Sequence, residues 1–146
     1  MEKFLYRGVS LEMHNSGEGF KPKGASLTRE AQHGEEYATH GNIEHGSSIG
    51  NAIVAHQTSS EKFPSSGVST TPHFKIARKY AIYNSVKGVV YKMDTDRFLE
   101  NEIEAFVVSE LVSFPKLPQD EEVILRRKDD NRIGEGIIIE IIEVEP

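Results

Sequence analysis

No cysteine occurs in the 146 residues. Without a thiol the chain can build no disulfide scaffold, no thiolate zinc centre and no cysteine nucleophile. Long apolar runs are missing too, for no stretch approaches the roughly 20 residues that span a bilayer. The opening residues, MEKFLYRGVSLEMHNSGEGF, lack the basic and then apolar regions of a secretion signal. A soluble, cytoplasmic chain with no membrane partner is expected. Positive charge is not in excess either. Seventeen Lys and Arg stand against 23 Asp and Glu, a formal net charge of −6, so no broad phosphate-binding surface is advertised. The small basic clusters at Lys75, Arg78 and Lys79 and at Arg126, Arg127 and Lys128 are expected on solvated faces.

What is present is ordinary globular composition. Hydrophobic residues make up 37% and charged residues 27%, with 12 Gly and 6 Pro, which excludes a collagen-like or wholly disordered chain. There is no internal repeat and no linker between two cores, so one domain over residues 1–146 is expected.

Local patterns assign the elements. Residues 3–7 (KFLYR) read as a strand bounded by Gly8, and residues 14–25 as loop. A helix interrupted near Gly34 is predicted over 27–38. Another follows over 47–57, with Ser47 or Ser48 as cap and Ile49, Ala52, Ile53 and His56 at helical spacing. Residues 59–67 form a further loop. Val68-Ser69-Thr70 reads as a short strand, and Thr71-Pro72 as an N-cap with proline at the first helical position. Phe74, Ala77 and Ala81 then share one helix face, with Ile76, Tyr80 and Tyr83 beside them, and the helix stops near Gly88. GVVYKMD begins a strand there, followed by a turn at 94–96, then IEAFVV (103–108), EEVILR (121–126) and GIIIEIIEV (136–144). The last two are expected to form a hairpin across residues 128–131. Helices in the middle and strands in the second half make an α+β fold.

Three segments gain meaning from their order: Tyr6-Arg7-Gly8, Ser69-Thr70-Thr71, and Glu122-Val123-Ile124-Leu125, with Ala77 to Ala81 and VVYKMD between the last two. In this order the chain resembles the mono-ADP-ribosyltransferases of the Arg/Ser/Glu clade, which includes bacterial toxins and phage enzymes. The resemblance covers most of the chain in order and spacing, with identity confined to the motifs. It implies two small, mostly antiparallel sheets flanking a cleft for NAD, the co-substrate, with no metal. It also implies roles. Arg7 would bind the dinucleotide phosphates, with Gly8 and Thr70 as further cofactor-binding positions. Ser69 would sit under the cofactor and orient Glu122, and Thr71 would cap the next helix. Glu122 would be the catalytic carboxylate.

The chemistry suits these residue types. Breaking the ribose–nicotinamide bond passes through an oxocarbenium-like state, which a carboxylate stabilises by charge and by gripping a ribose hydroxyl. The nicotinamide leaving group is already cationic, so no general acid is required. An arginine fork is matched to phosphates. Tyr80, eleven residues after Ser69, has two readings. It could stack on the cationic pyridinium, as relatives place an aromatic at about this offset, a contact worth roughly 0.5–2 kcal/mol; or it could pack in the core. Phe74 is an alternative for the stacking role.

Relatives often place Glu or Gln two residues before the catalytic glutamate, where it engages the acceptor. Strand alternation puts Asp120 on the face of Glu122, whereas Gln119 or Glu121 would serve only if a bulge shifts the register. Arginine-modifying relatives carry Glu at this place and others Gln, so the acceptor stays open between a protein side chain and an RNA or DNA base. Arg126-Arg127-Lys128 also departs from the Pro-Arg pair common after this glutamate. The family's toxicity implies an inhibitor or antitoxin partner for a chain acting in its producing cell. Two other functions stay in view: an NAD glycohydrolase of the same fold, and a non-catalytic binding module. His33, His40, His45 and His56 crowd one segment, but their spacings match no compact metal-ligand pair. No P-loop and no GxGxxG occurs.

Overall fold

The computed structural model describes residues 1–20, 29–30, 47–48, 67–83, 86–111 and 117–146. In chain order these form β1 (Phe4–Ser10), α1 (Leu11–Asn15), β2 (Arg29–Glu30), β3 (Ser47–Ser48), β4 (Val68–Thr70), α2 (Phe74–Ala81), β5 (Gly88–Asp94), β6 (Ile103–Val107), α3 (Val108–Leu111), β7 (Val123–Arg127) and β8 (Ile138–Val144). Two three-stranded sheets, in the orders β1-β5-β8 and β4-β7-β6, carry the structure, and β2 pairs with β3. All these pairings are antiparallel. The expected α+β class with two small antiparallel sheets is therefore found among the described residues.

The first sheet is built around β5, whose apolar run is covered on both faces. Val89, Tyr91 and Met93 point into the main core with Leu5 and Val9 of β1, and meet Val68, Val123, Leu125 and Ile103 of the second sheet. Val90 faces the other way, under Ala77 and Ala81 of α2. The helix lies close because two glycines make room for it. A Cβ on Gly8 would stand 1.8 Å from the carbonyl oxygen of Ala77, and one on Gly88 would stand 2.2 Å from that of Ala81.

The two sheets are spliced at one point. Tyr6 N–H donates to the Thr71 carbonyl at 2.7 Å, and Thr71 N–H donates back to that of Tyr6 at 2.9 Å. This bridge just beyond β4 sets the Arg7 strand beside the Ser69 strand.

Several expected boundaries move. β1 runs through Gly8 to Ser10, because pairing with β5 continues to Gly88. His14 and Asn15, expected in a loop, end α1, which Ser10 caps through its side chain at Met13 N–H. Residues 29–30 and 47–48 lie in strands, where helices were expected; the rest of those two segments, and the loop residues 21–25 and 59–66, fall outside the described residues. The helix after β4 starts two residues later than expected. His73 rather than Thr71 is its N-cap, without a side-chain bond, and the helix ends at Ala81, well before Gly88.

The expected β7–β8 hairpin does not form. β7 is the centre of the second sheet, whereas β8 pairs with β5 in the first. The apolar runs of both strands were legible, but a run does not name the neighbour. β7 needs partners on both edges and takes β4 and β6, so the polar turn after it carries the chain across to the other sheet.

Candidate active site

The residues singled out by the sequence converge where the sheets are spliced. Ser69 lies in β4 opposite Ile124, and Thr70 lies opposite Val123. One step further along that register, Thr71 comes level with Glu122. Residues directly opposite in an antiparallel pair point to one face, as do residues two apart on a strand. Ser69 and Glu122 therefore share a face, and the Ser69 hydroxyl donates to Glu122 Oε2 at 2.5 Å. A charge-assisted bond of this length fixes the rotamer of the carboxylate. Glu122 precedes β7 rather than opening it, and its backbone carbonyl is held by Val108 N–H at 3.0 Å.

Arg7 reaches the same place from the first sheet. Its Nη1 donates to the Ser69 carbonyl at 2.9 Å and its Nε to the Gly19 carbonyl at 2.7 Å. Burial pulls the guanidinium down to about 10, opposed by the negative charge available at Tyr91 and Glu122. It still carries its charge at neutral pH, so a cation is held beside the Ser69–Glu122 pair.

Gly8 and Thr70 belong to the same segments but face elsewhere. Gly8 accommodates α2, on the side of the sheet away from Arg7. The buried Thr70 donates its hydroxyl to the Val123 carbonyl at 2.7 Å, on the opposite side from Ser69. Phe74 packs edge-on against Tyr6, with ring centroids 5.8 Å apart.

Tyr80 is not a core residue, since half of it (50%) is exposed. Its hydroxyl donates to Asp120 Oδ2. Burial of the hydroxyl, the bond to Asp120 and the charges of Asp120 and Glu122 together raise its pKa. Asp120 thus reaches this neighbourhood, though not by strand alternation. It ends a 3-10 turn (Pro118–Asp120), and Glu121 next to it is left-handed at φ 47.

Two anchors of this turn were missed from the sequence. The Thr71 hydroxyl donates to the Asp120 carbonyl at 2.6 Å and accepts from His73 N–H at 3.1 Å. His73 Nε2 meets the Glu121 carboxylate outside. Thr71 is therefore a brace for the turn, where a helix cap was expected.

Beside Arg7, past Gly19 and Tyr91, lies a cavity of about 310 Å³. Phe20 and Ile133 give it apolar walls, and Arg132 and Glu135 give it charge. His14 Nδ1 and the Tyr91 hydroxyl, 2.6 Å apart, form a polar edge. None of these residues stood out in the sequence, although Tyr91 lies directly opposite Arg7 in the β1–β5 register. The clustered histidines His33, His40, His45 and His56 lie outside the described residues. Among the described residues no helix is long and apolar enough to cross a membrane.

No curated protein matches the chain. The NarE family model matches residues 4–125, a span that holds Arg7, Ser69, Tyr80, Asp120 and Glu122 together, and the chain belongs to the NarE family, which is described as ADP-ribosyltransferase-like.

Proposed function

We propose that the protein transfers ADP-ribose from NAD to a macromolecular acceptor. The observation that carries this reading is the Ser69 hydroxyl on Glu122 Oε2 at 2.5 Å, with Arg7 Nη1 bound to the Ser69 carbonyl. An oriented carboxylate stabilises the oxocarbenium-like state of glycosidic cleavage, and a fixed cation beside it suits the diphosphate of the same substrate. Arg7 spends two of its donors on carbonyls, and a guanidinium has five, so donors are left for the diphosphate. One side of Arg7 leads to Ser69 and Glu122, for the nicotinamide ribose. The other leads past Gly19 to the cavity of about 310 Å³, which is large enough to take part of the adenosine half. The half-exposed ring of Tyr80 offers a face to the nicotinamide.

Glu122 accepts the 2′-hydroxyl of the nicotinamide ribose and stabilises positive charge as the glycosidic bond breaks. The bonding pair leaves with nicotinamide, which departs neutral. The acceptor nucleophile then bonds to the anomeric carbon from the opposite face and releases a proton. Ser69 holds Glu122 in place throughout and takes no part in the bond changes.

Incubation with labelled NAD and whole-cell lysate tests this reading. Label should enter macromolecules, and protease or nuclease treatment of parallel samples assigns it to protein or to nucleic acid. Glu122→Gln keeps the size of the side chain and should lower turnover by about 10²–10³, the cost of losing one charge-stabilising group. Nicotinamide release without any label would instead make the protein a glycohydrolase. Full turnover by Glu122→Gln would refute the assigned mechanism.

A further inference from the structure

We infer that Tyr80 is a positioning residue for Asp120: its hydroxyl holds that carboxylate at the rim of the Ser69–Glu122 site and thereby favours transfer to a macromolecular nucleophile over transfer to water. The inference rests on the transferase reading above.

The backbone and the side chain of Asp120 are held by different groups. Its backbone is fixed by Thr71 Oγ1 on its carbonyl at 2.6 Å and by its own N–H on the Leu117 carbonyl at 3.0 Å. Its carboxylate receives the Tyr80 hydroxyl on Oδ2. The residue is only 9% exposed, and a buried carboxylate is costly unless donors meet it. Tyr80 sits in the last turn of α2, a helix locked to the first sheet through Ala77 and Ala81 against Gly8. The donor is therefore mounted on a helix packed tightly against the first sheet, while Asp120 ends a short turn. The Tyr80 hydroxyl is bonded to Asp120, and Glu122 follows two residues later in the chain, within electrostatic reach of the same hydroxyl.

This arrangement separates two steps. Cleavage of the glycosidic bond depends on Glu122, whose rotamer Ser69 fixes. Capture by an acceptor depends on Asp120. As the acceptor's nitrogen or oxygen bonds to the anomeric carbon, its proton passes to the free oxygen of the Asp120 carboxylate and then to solvent. Water reaches the anomeric carbon in any orientation without being held, whereas a nucleophile carried on a macromolecule must be aligned with that carbon. Releasing the Asp120 side chain should therefore change the partition of the ribosyl group between acceptor and water.

The test measures, for the full chain with labelled NAD and lysate, the label transferred per nicotinamide released. In Tyr80→Phe, which keeps the ring and loses the hydroxyl, this ratio should fall about tenfold, the low end for a hydrogen bond to a charged group. Asp120→Asn should lower it similarly, and the double variant should show little further loss. A ratio equal to that of the native protein overturns the inference, whether because nothing changes or because release and transfer drop together, as generalised damage would cause. If the native protein releases no nicotinamide, the transferase reading fails and the positioning role falls with it. Tyrosine 13C NMR keeps the contact itself testable in that case. The Tyr80 resonance should titrate at lower pH in Asp120→Asn than in the native chain, and an unmoved titration would show that the two side chains do not meet.

Discussion

The two sheets are joined at Tyr6 and Thr71 but are held together on different terms. In the first, β1, β5 and β8 are each seven residues long. β5 is apolar on both faces, and α2 is pressed against the sheet so closely that Gly8 and Gly88 admit no side chain. In the second, β4 has only three residues, and the segment that leads into β7 is held, up to that strand's first residue, by side-chain oxygens: Ser69 on Glu122, Thr70 on Val123, Thr71 on Asp120. The first sheet is fixed by shape; the second shares the apolar core, but its edge at residues 120–123 is fixed by polar contacts. A surface fixed by shape resists change, whereas one fixed by hydroxyls and carboxylates can present charge to a ligand. The reactive groups accordingly sit on the second sheet, with Arg7 leaning over from the first.

The largest effect expected from breaking this contrast is at Gly8. A Cβ there would meet backbone of Ala77 and Ala81, which cannot rotate away as a side chain can. Gly8→Ala should destabilise the fold by about 3 kcal/mol or more, the upper range for forced overpacking, seen as a lower denaturation midpoint. A shift no larger than that of an exposed Gly134→Ala, where a Cβ meets nothing, would show that helix and sheet are not in close contact.

Ser69→Ala probes the other term. It removes the donor on Glu122 while leaving the β4 backbone pairing with β7 intact. Turnover should fall about 10- to 100-fold, matching about 1.5–3 kcal/mol for a bond to a charged group. The denaturation midpoint should move far less than in Gly8→Ala. If Ser69→Ala instead unfolds the chain at unchanged specific activity, the polar sheet edge is scaffold and the division drawn above is wrong.

The same contrast explains what the sequence revealed. The β5 strand GVVYKMD was found with its ends correct because its apolar run is covered on both sides. The Phe74, Ala77, Ala81 face was legible because helix periodicity leaves a stripe. The Ser69–Glu122 bond was anticipated through order and resemblance, and the antiparallel register supplies its geometry. The misreadings concern partners and polar braces. Nothing in EEVILR says that β7 is central and β8 remote from it, because an apolar run suits either neighbour. The left-handed Glu121 was equally hidden. It breaks the alternation on which the placement of Asp120 rested, and a glutamate between two other acidic residues carries no signal for that conformation.

Thr71 sharpens the comparison at a smaller scale. Thr71→Val keeps the shape and removes both the donor to the Asp120 carbonyl and the acceptor for His73 N–H. A loss of about 1–3 kcal/mol is expected, since buried polar groups are left without their partner. Stability should drop without the collapse expected at Gly8, and amide exchange should quicken at residues 119–122. A neutral substitution would mean that the turn holds itself.

The smallest expected effect is on the alkaline side and reads the Tyr80–Asp120 contact through stability. Burial, the bond to Asp120 and two nearby carboxylates raise Tyr80 above the ordinary tyrosine value of 10.0 in the folded chain. The unfolded chain releases that proton first, so from about pH 10 upward the folded state binds more protons and stability falls as pH rises. The stabilisation is fully present below pH 10 and is lost above it. Tyr91, also raised, chiefly by burial, adds a slope of the same sign in all variants. Tyr80→Phe should remove only its own share, under about 1 kcal/mol given the water around a half-exposed ring. Denaturation midpoints of the two proteins should thus draw together between pH 9 and pH 11, where the native chain loses stability faster. Parallel curves would mean that the Tyr80 hydroxyl is as free in the folded chain as in the unfolded one, and the polar edge of the second sheet would lose its tie to the rigid helix.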